Sequence, residues 1–498
     1  MNLIQVIFEY VFIITQLIIA FFSIHYIYII LRRLILSKNT LDTNDLDFST
    51  NPYSINEFVT VQIPVYNEKH VMRKLIKSLS ELDYPPNLFE IQLLDDSIDE
   101  TSSIINNEIR KYPSINFVHV RRNNRKGYKA GALNYGLKIA KGNFFAIFDT
   151  DFLPPRYFLQ ETIYHFRKNP HLGLIQTRWG HTNKEHSLLT KTISLGIDNH
   201  FLVEQPVRNV IGVMNFNGTC GVWRKDCIID AGGWDENILA EDLDLSYRAY
   251  IKGWKTKYFE SIVCNGEIPN SISSYKQQQY RWAKGTSQSA RKNIFHIFTS
   301  NLTKNQKIES IFHHFGYFIQ VCIFINLISM IPLLYFSSSV LTSTWELFFF
   351  IINLIASSMY LFTTIKLKMS HSQTITSIIL LMLISIGISW KITVASIVGL
   401  LKKSGEFKRT PKGLTKVKND YFIFFKNDLL VELFIICYIL LGIFFAVIRE
   451  IYLPIFYLLF CLTGLLMIFS YQIIEIFQFD SQKYWITKSL KWVHRVLN

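Results

Sequence analysis

The chain has 498 residues, 49% of them hydrophobic, with a net charge of +14 and a mean hydropathy of +0.19. Long charge-free windows around a globular-looking centre make it a mixed soluble and membrane chain, which excludes a wholly soluble protein. Its cations flank apolar runs, as cytoplasmic loops do, and no RNA- or DNA-binding motif accompanies them, so nucleic acid is not the expected partner.

Val11–Leu31 is long enough to cross a bilayer, which takes about 20 apolar residues, and Arg32 and Arg33 follow at once. The charge comes after the apolar core rather than before it, so the segment reads as an anchor and not a signal peptide. From Phe58 to about residue 300, strand and helix patterns alternate. "VTVQIPVYN" (Val59–Asn67), "EIQLLDDS" (Glu90–Ser97), "INFVHVRR" and "FFAIFDTD" (Phe144–Asp151) read as strands, and "VMRKLIKSLSEL" has helical spacing. The alternation predicts a parallel sheet covered on both faces. Ligands then bind beyond the carboxyl ends of the strands, which here carry Asn67, Glu68, Asp95, Asp96, Asp149 and Asp151. Neither GxGxxG nor GxxxxGK(S/T) occurs, which argues against a dinucleotide cofactor or a P-loop. The six cysteines form no CxxC pair and three lie in apolar runs, so no disulfide framework or zinc site is expected.

Five stretches in this domain carry chemistry, and each has a plainer alternative. "GYKAGALNYG" (Gly127–Gly136) sets Lys129 among small residues, so it meets a phosphate or is a solvated helix start. "DTD" (Asp149–Asp151) holds a hard divalent cation beside phosphate oxygens or is a polar strand end. "NFNGTCGVWR" (Asn215–Arg224) walls an acceptor site or is a turn. "AEDLDLSYRA" offers a general base at Glu241 or Asp242, or simply acids at a helix start. "QQQYRW" joins an amide, a guanidinium and an indole for phosphate and sugar, or is a helix face with one core Trp.

Their order within one domain resembles the processive glycosyltransferases of family 2, the cellulose, hyaluronan and chitin synthases. "VQIPVYNE", "IQLLDDSIDET", "GYKAGALNYG", "FNGTCGVWR", "AGGWDE" and "QQYRW" look most like the cellulose synthase-like A and C group of plants and its bacterial relatives. The likeness runs from about Val59 to Lys412. It implies an α/β GT-A fold, the Rossmann-like nucleotide-diphospho-sugar transferase fold, in a cytosolic domain joined to an α-helical transmembrane region. Tyr66, Glu68, Asp95 and Asp96 would hold the nucleoside, and Lys129 the diphosphate. Asp149 and Asp151 would serve nucleotide and metal, a divalent cation such as Mg2+ or Mn2+. Asp242 would be the base. Gln278, Arg281 and Trp282 would bracket the acceptor terminus and the diphosphate, with Phe216 and Gly218 on the acceptor wall. Ala240 departs from the Thr that many relatives carry before Glu-Asp.

The implied reaction is inverting transfer of hexose from UDP-glucose or GDP-mannose to a β-linked polysaccharide, probed against two alternatives. One is transfer of a single sugar to a ceramide or diacylglycerol, the other a scaffold with a degenerate transferase domain. The full acidic and QxxRW set speaks against the scaffold.

Further apolar runs at Gly316–Phe336, Leu347–Ile365, Leu429–Ile448 and Ile451–Ile474 make five spans, with Thr374–Trp390 interfacial or re-entrant and "SWKITVASIVGLL" along the membrane surface. Positive-inside counting keeps Arg32, Arg33, Lys366, Lys368 and the basic tail in the cytosol, in a plasma, inner or Golgi-type membrane. The expected organisation is an anchor at 1–35 and a transferase domain at 36–300. An interfacial helix with two spans follows at 301–370, then an interfacial helix with a loop at 371–428, and last two spans with a tail at 429–498. Within that loop, "FKRTPK" matches the FxxTxK gating pattern of cellulose synthase-like enzymes, so Phe407, Thr410 and Lys412 are expected to close over the nucleotide diphosphate.

Overall fold

A strand buried on both faces needs apolar side chains on one side and satisfied polar ones, or more apolar ones, on the other. β1 (Val59–Val65) does this with Val59, Val61, Ile63 and Val65 all buried, while buried Thr60 and Gln62 point oppositely. Thr60 Oγ1 donates to Glu90 Oε1 (2.8 Å) and Gln62 Nε2 to Gln92 Oε1 (3.0 Å) on β2 (Phe89–Asp95). These pairs pin the β1–β2 register, Val59 against Phe89 through Val65 against Asp95.

The computed structural model describes residues 3–38, 56–342, 358–402 and 419–496. The remaining strands are β3 (Phe117–Arg121), β4 (Phe144–Ile147), β5 (Phe152–Leu153), β6 (Leu172–His181), β7 (Gly221–Arg224) and β8 (Lys255–Gly266). They form one eight-stranded sheet in the order 3-2-1-4-7-6-8-5. β3, β2, β1 and β4 are parallel, as the sequence predicts. The other half corrects that prediction. β7 runs antiparallel to β4 and β6, and β5 antiparallel to β8, so the sheet is mixed. β7 is only four residues long, too short for its own pattern to show a direction. Two apolar layers cover the sheet. One centres on Leu75, Phe148, Phe158 and Ile163, the other on Leu133, Phe145, Phe201 and Trp223.

Among the described residues, four helices are long and apolar enough to span a membrane: Leu3–Leu36, Phe318–Tyr335, Asp428–Ile448 and Leu453–Phe477. Most of the expected span Leu347–Ile365 lies outside the described residues; its described end belongs to the helix Met359–Lys366. The ambiguous run is two helices, His371–Gly387 and Ser389–Leu401, bent by 54°. Its second half packs one face against protein and leaves Val394, Ile397 and Leu401 exposed on the other. Trp390 and Lys391 are buried, and the Lys391 ammonium lies 2.6 Å from Asp428 Oδ1 rather than snorkelling to the interface. A buried cation needs a counter-charge, and Asp428 comes from a helix distant in sequence. Gly399 sits tight against the helix Ile272–Thr299, since a Cβ there would lie 2.4 Å from Lys284 O.

Arg33, at the end of the first helix, donates to Leu202 O (2.6 Å) and pairs with Glu260 on β8, the carboxylate that Lys366 also reaches. Two of the cations read as cytosolic, Arg33 and Lys366, therefore end on the α/β domain.

Candidate active site

The carboxyl ends of β1, β2 and β4 open into a cleft lined by Tyr66, Glu68, Asp96, Lys129, Asp149, Asp151, Gly218, Asp242, Gln278, Arg281 and Trp282. Eleven expected site residues from seven separate stretches thus meet in one place. Lys129 is at the centre. It lies in the first turn of the helix Tyr128–Ile139, with its side chain 16% exposed, so it is not a solvated helix start. Its ammonium donates to Asp149 Oδ1 (2.6 Å) and Gly218 O (2.8 Å) and lies 4.0 Å from Glu241 Oε1. The small neighbours matter: a Cβ at Gly131 would fall 2.1 Å from Lys126 O, so that turn closes only without a side chain.

Glu241 and Asp242 open the helix Glu241–Ile251, which has no side-chain cap. The N-terminal dipole favours acids there, but burial opposes their charge. Burial and then the Asp242 charge push the Glu241 carboxyl up to about 7, against Lys129, which lowers it. Burial also raises Asp242, again opposed by Lys129. Asp242 Oδ1 accepts from Leu243 N (2.9 Å). Gly218 has φ +82°, and a Cβ there would sit 3.0 Å from Asp242 Oδ2 and 3.4 Å from Lys129 Nζ, so only glycine leaves room beside that carboxylate. The third acid of the stretch, Asp244, is structural. It is fully buried and bonded by Arg248 (2.8 Å) and Asn293 (2.9 Å), which fastens this helix to Ile272–Thr299.

That second helix carries Gln278, Arg281 and Trp282. Burial draws the Arg281 guanidinium down, opposed by the charges of Asp149, Glu241, Asp242 and Asp151. The helix approaches so closely that a Cβ at Gly285 would lie 2.8 Å from the Ala240 Cβ.

Two expected site residues are not in the cleft. Phe216 is fully buried, edge-on to Trp223 in the apolar layer, because its neighbours Asn217 and Gly218 take the cleft side of the turn. Asp95 turns away from its neighbour Asp96, accepting from Ser97 N (2.8 Å), Ser102 Oγ (2.5 Å) and His119 Nε2 (2.9 Å). Burial raises its carboxyl, but hydrogen bonds from His119, Ser102 and Ser97 outweigh this and hold it down at about 2. Its work is to hold the loop after β2. Asp96 remains in the cleft wall, gripped by the Arg122 guanidinium (Nε 2.9 Å).

Sequence reading missed Arg125, whose guanidinium stacks 3.3 Å over the Tyr66 ring, and also Trp179, His181 and Asn217 in the cleft wall. The signal for Arg125 was present in "RRNNRKG", a basic run just past a strand end. Phe407, Thr410 and Lys412 lie outside the described residues.

A family model described as "Glycosyl transferase family group 2" matches residues 144–390, and one described as "Glycosyl transferase family 2" matches residues 60–220. The chain is 37% identical over 280 residues to glucomannan 4-beta-mannosyltransferase 9 of Arabidopsis thaliana, covering 55% of this chain and 52% of that one. It is 39% identical over 258 residues to probable glucomannan 4-beta-mannosyltransferase 4 of Oryza sativa subsp. japonica, covering 50% and 46%. The chain thus spans about half the length of the curated relatives it matches. Among solved structures, a mannosyltransferase from Pyrobaculum calidifontis, in complex with GDP-Man and Mn2+, aligns with a TM-score of 0.53 and 17% identity over 80% of this chain and 98% of that one. That likeness establishes a shared GT-A fold. With the motifs converging on Lys129 and the family models matching between residues 60 and 390, the chain belongs to glycosyltransferase family 2.

Proposed function

We propose that the protein is a membrane-embedded inverting glycosyltransferase that passes a hexose from a nucleotide sugar to a growing β-1,4-linked polysaccharide. The observation that carries this is the Lys129 ammonium, which touches the DxD stretch and the Asn-Gly turn and lies near the Glu-Asp pair. The mannosyltransferase names of the relatives favour GDP-mannose over UDP-glucose as donor.

Lys129 and Arg281 face the diphosphate, where fixed cations meet charge that grows as the bond breaks. Tyr66, Glu68 and Asp96 form the nucleoside end. Gln278, Trp282 and Gly218 form the acceptor side. Asp242 takes the proton of the acceptor hydroxyl as its oxygen attacks the anomeric carbon opposite the diphosphate. One displacement inverts that centre, so an α-linked donor yields a β-glycosidic bond.

Asp149 and Asp151 offer only hard oxygen donors, and among the described residues no cluster of three or more His, Cys, Asp or Glu is arranged to hold a metal. A pair of carboxylates suits a cation that completes its shell with phosphate oxygens and water. When bound, Mg2+ or Mn2+ would offset charge on the leaving diphosphate.

Membranes containing the protein, given GDP-mannose, UDP-glucose or UDP-N-acetylglucosamine with Mg2+ or Mn2+, are expected to yield a long β-linked chain from one donor. A single sugar on lipid would instead support the lipid-acceptor reading, and no transfer from any donor would overturn both.

The expected gating loop begins at the described end Lys402, whose carbonyl accepts from Gln288 Nε2 (3.3 Å). Gln288 Oε1 in turn accepts from the backbone of Leu239 in the cleft wall (3.0 Å). The loop thus departs close to the site, which supports a role in closing over the diphosphate. Replacing Phe407, Thr410 and Lys412 together by Ala is expected to lower turnover about tenfold or more, the scale on which lid closure sets rates, with membrane insertion intact. Unchanged turnover would remove the gating role.

A further inference from the structure

Asn217 is a cleft residue whose amide orientation is dictated from behind. Gln205 Nε2 donates to the backbone carbonyl of Asn215 (2.9 Å), which can only accept, so the nitrogen end of Gln205 faces that way. The same nitrogen reaches Asn217, which must therefore present Oδ1 to it. Asn217 Nδ2 then points at His200 Nε2 (3.0 Å), and that ring nitrogen must accept. The His200 proton accordingly sits on Nδ1 and is donated to Glu204 Oε2 (3.1 Å).

The chain of contacts continues to the membrane region. Arg208 Nη1 lies 3.0 Å from Glu204 Oε2, and Arg208 Nε donates to Glu309 Oε1 (2.9 Å). Glu309 Oε2 meets His25 Nε2 (2.8 Å) on the first membrane helix. Arg208, Glu309 and His25 are all buried. His200–Glu204 is a single π-helical turn between two α-helices, a distortion that aims side chains differently from a regular helix and is frequent at functional sites.

Asn217 precedes Gly218, whose Cα lies beside the Asp242 carboxylate. With one Nδ2 hydrogen and the Oδ1 lone pair committed behind, the amide retains a second hydrogen and a second lone pair. A donor and an acceptor side by side suit a sugar hydroxyl.

We propose that His200 is a positioning residue. It fixes the Asn217 amide beside Asp242 so that an acceptor-sugar hydroxyl, and not water, is aligned for transfer. This rests on the glycosyltransferase reading above. When the alignment is lost, water takes the acceptor's place, Asp242 receives a proton from water, and the nucleotide sugar is hydrolysed to free sugar and nucleoside diphosphate.

The measurement is the ratio of nucleoside diphosphate released to sugar incorporated, with donor binding followed separately, in the full-length protein in membranes. His200→Asn keeps a short polar group towards Glu204 but does not reach Asn217; the ratio is expected to rise about tenfold, with donor binding unchanged, since small misplacement of reactants has large rate costs. His200→Gln returns an acceptor oxygen to the position of Nε2, and the ratio is expected to stay near that of the unaltered protein. A structural defect would lower release and incorporation together in both variants. An unchanged ratio in His200→Asn, or an equal rise in both variants, would overturn the inference while leaving the transferase reading standing. Absence of transfer by the unaltered protein from any donor would overturn both.

Discussion

Asp242→Asn is expected to abolish sugar transfer, by at least about 10³-fold, within the range that a positioned general base contributes. The change is isosteric. Asn keeps an oxygen for the Leu243 N–H, which now bonds Oδ1 at 2.9 Å, and adds nothing to crowd Gly218. Folding and donor binding should therefore survive, and only the capacity to take a proton is lost. Turnover of the purified variant beside its affinity for the nucleotide sugar checks this. A variant that turns over as the unaltered protein does would show that Asp242 is not the base.

The second large effect is expected from Lys129→Met, with turnover falling at least about 10²-fold and donor binding weakened, a magnitude typical of removing one preorganised charge partner. The ammonium bonds Asp149 at 2.6 Å and feels the charges of Glu241 and Asp242, in a cleft that Asp151 and Arg281 also line. Its loss also changes the pH profile. A base must be ionised, and burial has already raised Glu241 to about 7 and raised Asp242 as well. Burial of Asp242 therefore places the decline in activity of the unaltered protein, as pH falls, above the range of an ordinary carboxylate. Lys129 lowers both carboxyls, so without it that decline moves to higher pH. A pH–rate profile of the two proteins measures the displacement; one that does not move, or moves to lower pH, would show that Lys129 does not set the charge of the pair.

Much of the cleft was legible because its residues belong to local signals. Acids at the ends of apolar strands, Lys129 among small residues and Arg281 between Gln278 and Trp282 can each be recognised without knowing what they touch. Phe216 and Asp95 fall outside the cleft for one shared reason. Adjacent residues on an extended segment point to opposite sides, and only the sheet tells which side is the cleft. Asn217 and Asp96 face the cleft, and Phe216 and Asp95 turn into the protein. Ser389–Leu401 was read from its apolarity as a surface helix. Apolarity does not show which face of it meets protein, and the Lys391–Asp428 pair that turns one face inward joins helices distant in sequence.

By itself the sequence determined the strands from β1 to β4, the first anchor, the cations on one side of it and the acid, base and amide inventory of the site, because periodicity and charge are local properties. Tertiary structure alone decided the reversed strand β7, the structural duty of Asp244, and the convergence of Lys129, Asp149 and Glu241. It also decided the path from His25 to Asn217. Direction, facing and contact depend on how distant segments stack, and a proton or a sugar hydroxyl is handled only where those segments meet.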